Sequence, residues 1–248
     1  MSITQRTALV TGGNRGLGEA TARALYDAGH AVIITHMAGN TGMQAWLEKQ
    51  AEQGYTFASY PVDVADYAST QALAQALKHD GRQVDILVNN AGITRDATLR
   101  KLDKDSWDAV LRTNLDSMFN VTKPFLDGMV ERGWGRIINI SSINGSKGQF
   151  GQTNYSAAKA GIHGFTKALA QEVARKGITV NTVSPGYLAT QMVMAVPEDV
   201  RQKIIAGIPV GRLGQPQEIA ALIAFIASDA AAFMTGSNVA MNGGQHMY

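Results

Sequence analysis

The 248-residue chain is 45% hydrophobic and 17% charged, which excludes a disordered polyelectrolyte and suffices for one large α/β domain or two small ones. Lys and Arg number 22 against 20 Asp and Glu, a net +2, with no block of like charge longer than two residues, so neither nucleic acid nor an anionic membrane is an expected partner. With no cysteine there is no disulfide, thiolate nucleophile or Cys-based zinc site, and no metal is expected.

In chain order, short β-branched apolar runs alternate with longer helical patterns. The runs fall at residues 7–11, 31–35, 56–62, 84–88, 136–141, 178–183 and 239–241. They are almost continuously apolar, as strands are when helices cover both faces of a parallel sheet. Between them, residues 19–28, 45–53, 69–79, 104–132, 154–176 and 217–227 carry helix formers with apolar spacing near 3.6. Gly29, Gly54, Gly81, Gly133 and Gly177 stand where those helices should stop. No linker, repeat or low-complexity tract interrupts the alternation. Residues 1–248 are therefore expected to form a single α/β domain, a doubly wound Rossmann fold with a seven-stranded parallel sheet and helices on both faces. Residues 187–214, with Pro197 and Pro209, are the least regular part. They suit a cover over a site at the strand ends, or a structural excursion with one short helix. The longest apolar run, residues 220–227, is far short of the ~20 residues of a membrane span. The N-terminus lacks a signal-peptide apolar core, so a cytoplasmic location is expected.

Directly after the first run comes Thr11-Gly12-Gly13-Asn14-Arg15-Gly16-Leu17-Gly18, opening a helical pattern. Glycines permit a tight turn and let backbone N–H groups approach a pyrophosphate at the positive end of the helix dipole. The strand-turn-helix context favours dinucleotide binding over a plain turn. Asp63-Val64, after the third run, suits either an acceptor for an adenine amino group or an ordinary turn. An NAD site usually carries Asp or Glu ~20 residues past the glycines. Here nothing acidic lies between Asp27 and Glu48; Thr35 and His36 end the second run, and Arg15 is available to a 2′-phosphate. NADPH is the expected cofactor, with NADH the alternative and a solvated loop charge the other reading of Arg15.

The fourth run leads into Asn89-Asn90-Ala91-Gly92, small and amide residues that leave room for a flat cofactor. Tyr155 and Lys159, four apart in a helical pattern, share a face. A close ammonium favours the phenolate, bringing a group of ordinary pKa ~10 towards proton exchange at neutral pH. Ser142, at the end of the fifth run, suits a hydrogen bond to a substrate oxygen, and Asn114 suits holding a water that links Lys159 to solvent. Taken singly, a Tyr-x3-Lys pair is usually helix surface and a strand-end Ser a cap.

Taken together, Thr11 to Gly18, Asn89 to Gly92, Asn114, Ser142, Tyr155 to Lys159 and Pro185-Gly186 resemble the short-chain dehydrogenase/reductase family over essentially the whole chain. The resemblance implies Tyr155 as general acid, Lys159 on the nicotinamide ribose and lowering the tyrosine pKa, Ser142 orienting the carbonyl, and Asn114 in a proton relay. It implies a cofactor site built from Gly12, Asn14, Arg15, Gly16, Leu17, Gly18, Asp63, Val64, Asn90, Ala91, Gly92, Tyr155, Lys159, Pro185 and Gly186, with Thr190 at the nicotinamide end. Residues 89–96, 133–136, 147–155 and 242–247 further resemble one branch of the family, the bacterial acetoacetyl-CoA reductases of polyhydroxybutyrate synthesis. That branch implies an acyl-CoA thioester substrate lined by Asp96, Lys101, Gln149, Phe150, Gln152 and Tyr187, next to Ser142 and Tyr155. Residues 37–44 depart from it in lacking the basic residue often found there. The 3-oxoacyl-[acyl-carrier-protein] reductases share the active-site set. For them Arg132, Arg175 and Lys176 suit an acidic carrier, or else complement the helix dipole. The intact Ser142, Tyr155 and Lys159 argue against a third reading, a catalytically idle dinucleotide sensor. In residues 154–176, Ala157, Ala158, Ala160, Gly161, Ile162, Phe165, Ala168 and Leu169 are more small and apolar positions than one sheet-facing stripe requires; with a C-terminal end at Gly243 to Tyr248 suited to contact they fit the family's homotetramer, a monomer whose helices merely cover the sheet being the other reading.

Overall fold

Val, Ile and Leu crowd five of the seven runs, and all seven are strands in the computed structural model, which describes residues 5–247. In chain order these are β1 (Thr7–Val10), β2 (Ala31–His36), β3 (Phe57–Pro61), β4 (Ile86–Asn89), β5 (Gly135–Ile140), β6 (Ile178–Pro185) and β7 (Asn238–Met241). They pair in parallel, in the order β3-β2-β1-β4-β5-β6-β7. Every residue of β5 and β6 is buried, the polar Arg136, Asn139, Thr179, Asn181, Thr182 and Ser184 included, because helices cover both faces of the sheet. Successive side chains go to opposite faces. Val10, Ile34, Val88 and Ile138 pack under α1 (Gly16–Asp27) and α10 (Pro216–Ala227), while Leu9, Ile33, Leu87 and Ile137 pack under α3 (Tyr67–His79), α5 (Ser117–Arg132) and α7 (Thr153–Val173). The fold is the expected Rossmann-like arrangement, with α2 (Met43–Glu52) between β2 and β3.

Three segments differ from the sequence reading. The single helix expected over residues 104–132 is α4 (Lys104–Leu111), a five-residue π-helical turn (Arg112–Asp116) and α5. The widened turn carries Asn114, fully buried, into the interior. Residues 187–214 carry two short helices rather than one, α8 (Gln191–Met194) and α9 (Glu198–Ala206). A further one-turn helix, α6 (Asn144–Lys147), follows β5. Helix-stop glycines fall as expected, and at Gly177, with φ +75°, no other residue fits. A Cβ there would lie 2.1 Å from the carbonyl oxygen of Gly133, itself a left-handed cap.

After β7 the chain folds back rather than trailing: Asn242 Nδ2 donates to the His246 carbonyl at 2.9 Å, and Val210 N donates to that of Gly243 at 3.1 Å. Residues 1–4 of the N-terminal reading and Tyr248 lie outside the described residues. Among the described residues no helix is long and apolar enough to cross a membrane.

Candidate active site

The strand order reverses between β1 and β4, which opens a crevice at their C-terminal ends. The glycine loop rises from β1 and is tied to the loop after β4. Thr11 Oγ1 accepts from Asn90 N at 2.9 Å and Ala91 N at 3.0 Å, and Asn90 Nδ2 donates to the Thr11 carbonyl at 2.8 Å. Thr35 Oγ1 accepts from Gly12 N at 3.3 Å, so this hydroxyl braces the loop. The two later glycines are needed for different reasons. A Cβ on Gly18 would lie 2.2 Å from the Gly12 carbonyl oxygen, whereas Gly16 has room for one but sits at φ +54°, a left-handed conformation that side chains disfavour. Arg15, at the N-cap of α1, provides no side-chain cap, so the first N–H groups of the helix are open to an external anion. Asn14 in the same loop and Leu17 in the first turn of α1 are half-buried. The cradle fits a dinucleotide pyrophosphate.

In the glycine loop Arg15 is exposed, and at the end of β2 His36 Nδ1 lies 3.0 Å from the Met37 carbonyl oxygen. Because that oxygen only accepts, Nδ1 carries the proton. Asp63 Oδ1 accepts from Ala65 N at 2.9 Å, the turn geometry that the sequence left as one of two readings. Val64 is buried, and its carbonyl accepts from Asn120 Nδ2 at 3.0 Å.

Ser142, Tyr155 and Lys159 meet near the C-terminal end of β5. Tyr155 and Lys159 lie one turn apart on α7, as spacing predicts, with the ammonium 5.6 Å from the centre of the phenol ring. The Tyr155 hydroxyl faces the side chain of Ser142, which follows β5. Burial pushes the phenol up to about 12; Ser142 opposes this, while the Asp96 charge and Tyr187 add to it. Burial also lowers Lys159 to about 8. Its Nζ donates to the Ile140 carbonyl at 2.7 Å. The sequence reading has this ammonium lowering the phenol; here the charge is directed at a main-chain carbonyl and the ring face, and the cost of burying a phenolate prevails.

Asn114 closes a two-bond ring with Ile93: Nδ2 donates to its carbonyl at 2.8 Å, and Oδ1 accepts from its N–H at 3.0 Å. A water held here would use the second lone pair of Oδ1. Gly92 lets the groups converge, since a Cβ there would lie 2.5 Å from Asn114 Oδ1 and 3.7 Å from Lys159 Nζ. Pro185 accepts from Ile143 N at 3.0 Å, joining β6 to the Ser142 loop. Gly186 leaves room for Asn242 and Gln245, whose Cα and Oε1 would each lie 2.8 Å from a Cβ at that position.

Among the residues expected to line an acyl-CoA, Asp96 Oδ2 accepts from Gln152 Nε2 at 2.7 Å. Burial raises the Tyr187 phenol, Asp96 adds to this, and an approach by the Asn144 amide opposes it. Lys101 and Phe150, the latter 87% exposed, lie outside these contacts, and Gln149 Oε1 accepts from Lys147 Nζ at 3.1 Å. Sequence reasoning missed two supports. Asn154 Oδ1 accepts from Tyr155 N at 2.7 Å, and Ser141 Oγ donates to the Lys159 carbonyl at 2.8 Å. Both adjoin recognised residues, but adjacency in sequence carries no signal of such bonds. Arg132 is not a free cation: it binds Asp85 Oδ1 at 3.2 Å and the Val84 carbonyl at 2.7 Å.

A glycine-cradled crevice with Ser, Tyr and Lys converging at its mouth defines a class of nicotinamide-dependent oxidoreductases. Residues 12–246 match the family model described as enoyl-(acyl carrier protein) reductase, and the chain belongs to the short-chain dehydrogenase/reductase family. It is 54% identical over 245 residues to an acetoacetyl-CoA reductase of Cupriavidus necator, covering 99% of this chain and all of that one. It is 52% identical to nodulation protein G of Azospirillum brasilense, over 98% of each chain. It is 45% identical to a 3-oxoacyl-[acyl-carrier-protein] reductase of Pseudomonas aeruginosa over the whole of both.

Proposed function

We propose that this protein reduces acetoacetyl-CoA to (R)-3-hydroxybutyryl-CoA with NADPH, the step that supplies polyhydroxybutyrate synthesis. The observation that carries the reading is the meeting of Ser142, Tyr155 and Lys159 beside the glycine cradle, in a chain 54% identical end to end to an acetoacetyl-CoA reductase. NADPH, when bound in the cradle, supplies a hydride to C3 of the thioester. The phenol of Tyr155, held protonated by burial, gives its proton to the C3 oxygen, so that the carbonyl becomes the alcohol. Ser142 orients that oxygen from the end of β5. Lys159 holds the ribose and, as an ammonium, offsets the phenolate that the transfer leaves. Asn114 supports the relay that returns the proton. The remaining residues named for the cofactor and the acyl-CoA keep those assignments. Arg15 faces the 2′-phosphate and accounts for a modest preference for NADPH.

The whole chain acts as a single domain, works in the cytoplasm, and assembles as a homotetramer. Supporting the last point, Ala157, Ala160, Gly164 and Ala168 form an exposed stripe of small residues along α7, suited to close helix packing.

The carrier-protein version of the reaction is the second reading, favoured by the 45% identity to the Pseudomonas aeruginosa enzyme. The engagement of Arg132 leaves Arg175 and Lys176 as its exposed docking cations. Initial rates decide between them. Acetoacetyl-CoA with NADPH is expected to outpace the carrier-bound thioester, to yield the R alcohol, and to leave crotonyl-CoA unreduced. Faster turnover of the carrier-bound thioester would establish the second reading, and reduction of crotonyl-CoA alone would overturn both.

A further inference from the structure

Asn144, two residues beyond Ser142, sits at the start of α6 with its side chain buried. Its backbone N–H donates to Ser142 Oγ at 3.2 Å. Its Nδ2 donates to Gln152 Oε1 at 2.9 Å, while Gln152 Nε2 donates to Asp96 Oδ2 at 2.7 Å. Two loops remote in sequence are thereby joined through their side chains as well as by a main-chain bond, Ala97 N to the Gly151 carbonyl at 2.9 Å.

The direction of this chain of bonds is not free. A carboxylate only accepts, so Gln152 must turn its NH2 to Asp96 and its carbonyl to Asn144. Asn144 must then present its own NH2. Its Oδ1 is left buried without a hydrogen-bond partner. An orphaned buried acceptor is costly, and the opposite amide orientation would instead set two carbonyl oxygens face to face. One end of the chain is a charge, and the other borders the Ser142 hydroxyl, which accepts from Asn144 N and faces Tyr155.

We propose that Asn144 is a positioning residue: its amide fixes the hydrogen-bond direction running from Asp96 through Gln152 and so holds Ser142, whose hydroxyl its backbone N–H binds, in register for the thioester. The inference rests on the proposed reductase reading, because the register matters only if the thioester binds between these loops. Its mechanism is the reversal of donor and acceptor rather than the volume of the side chain. Asn144→Asp keeps the shape and turns the donor into an acceptor. Gln152 then faces a carboxylate at each end with a single NH2 to offer, and one end of the chain meets like against like.

The test is a relay reversal. Asn144→Asp is expected to raise KM for acetoacetyl-CoA at least ~10-fold, leaving the affinity for NADPH, read by nucleotide fluorescence, within about twofold of wild type. Adding Asp96→Asn lets Gln152 flip, donating to the carboxylate introduced at position 144 and accepting from the amide introduced at position 96. Because Asp96 itself is assigned to the acyl-CoA site, the reference is Asp96→Asn alone: the double variant is expected to match that single variant in kcat/KM rather than fall below it, a coupling that a purely steric role for Asn144 would not produce. Gln152→Glu, which sets two carboxylates together, supplies a second route that leaves Asn144 intact, and Asp96→Asn should couple to it in the same way. A folded Asn144→Asp protein with wild-type KM, or the absence of that coupling in both pairs, overturns the proposal. Inactivity of the wild-type enzyme on every 3-oxoacyl thioester would instead refute the reductase reading.

Discussion

Replacing Lys159 by Met keeps much of the side-chain length and removes the ammonium. Lys159 is 4% exposed, and burial brings its pKa from 10.5 to about 8. A folded-state pKa below the unfolded value means that folding favours the neutral amine. Burying the charged form therefore costs stability at every pH below about 8, and the cost fades as pH rises from 8 towards 10.5. At ~1.4 kcal/mol per pKa unit it is about 3 kcal/mol at pH 7 and about 1 kcal/mol at pH 9.5. The bond to the Ile140 carbonyl acts the other way, since removing its donor costs about 1–3 kcal/mol. At pH 7 and without cofactor, Lys159→Met is thus expected to be between equal to the wild type and ~2 kcal/mol more stable. Between pH 7 and 9.5 the wild type should gain about 2 kcal/mol on the variant. Tyr155 does not blur the comparison. Its folded pKa is raised to about 12, so its contribution is intact below the unfolded value near 10 and is lost only as pH climbs towards 12. Urea unfolding of both proteins at the two pH values measures the difference. A difference that stays constant within ~0.5 kcal/mol would refute the buried ammonium. Turnover should be lost in the same variant, the stability gained where a charge needed for function is removed.

Three further outcomes are expected. Tyr155→Phe removes only the hydroxyl and should lower kcat at least ~100-fold, the scale of general acid catalysis, with an unchanged melting temperature; near-normal turnover would exclude Tyr155 as the acid. Arg15→Ala should raise KM for NADPH more than for NADH, because a guanidinium makes charge-assisted bonds to a 2′-phosphate, and equal effects in steady-state kinetics would show that Arg15 does not read it. Light scattering at micromolar concentration should report four chains, and a monodisperse, fully active monomer would remove the tetramer from the proposal.

The sequence by itself determined what depends on near neighbours along the chain. Apolar periodicity placed seven strands and the principal helices. Glycine spacing marked the cradle after β1, and the interval of four put Tyr155 and Lys159 on one face of α7. These are local consequences of a period of 3.6 or 2 and of backbone freedom. Tertiary structure decided what needs groups distant in sequence to meet. The target of the Lys159 ammonium is a carbonyl of β5, nineteen positions away, and burial rather than spacing sets the proton affinity of both Tyr155 and Lys159. Asp96 and Gln152 stand 56 positions apart, and Gln152 carries the chain of bonds on to Asn144, which no motif singled out. Arg132, read as a surface cation, is held by Asp85, 47 positions away. The π-helical turn that brings Asn114 inward leaves no mark on the apolar pattern, because one extra residue in a turn shifts a face without altering its composition. Periodicity records which side of an element is buried; the partner of each polar atom is fixed only when the elements pack, since hydrogen bonds depend on distances of a few tenths of an ångström.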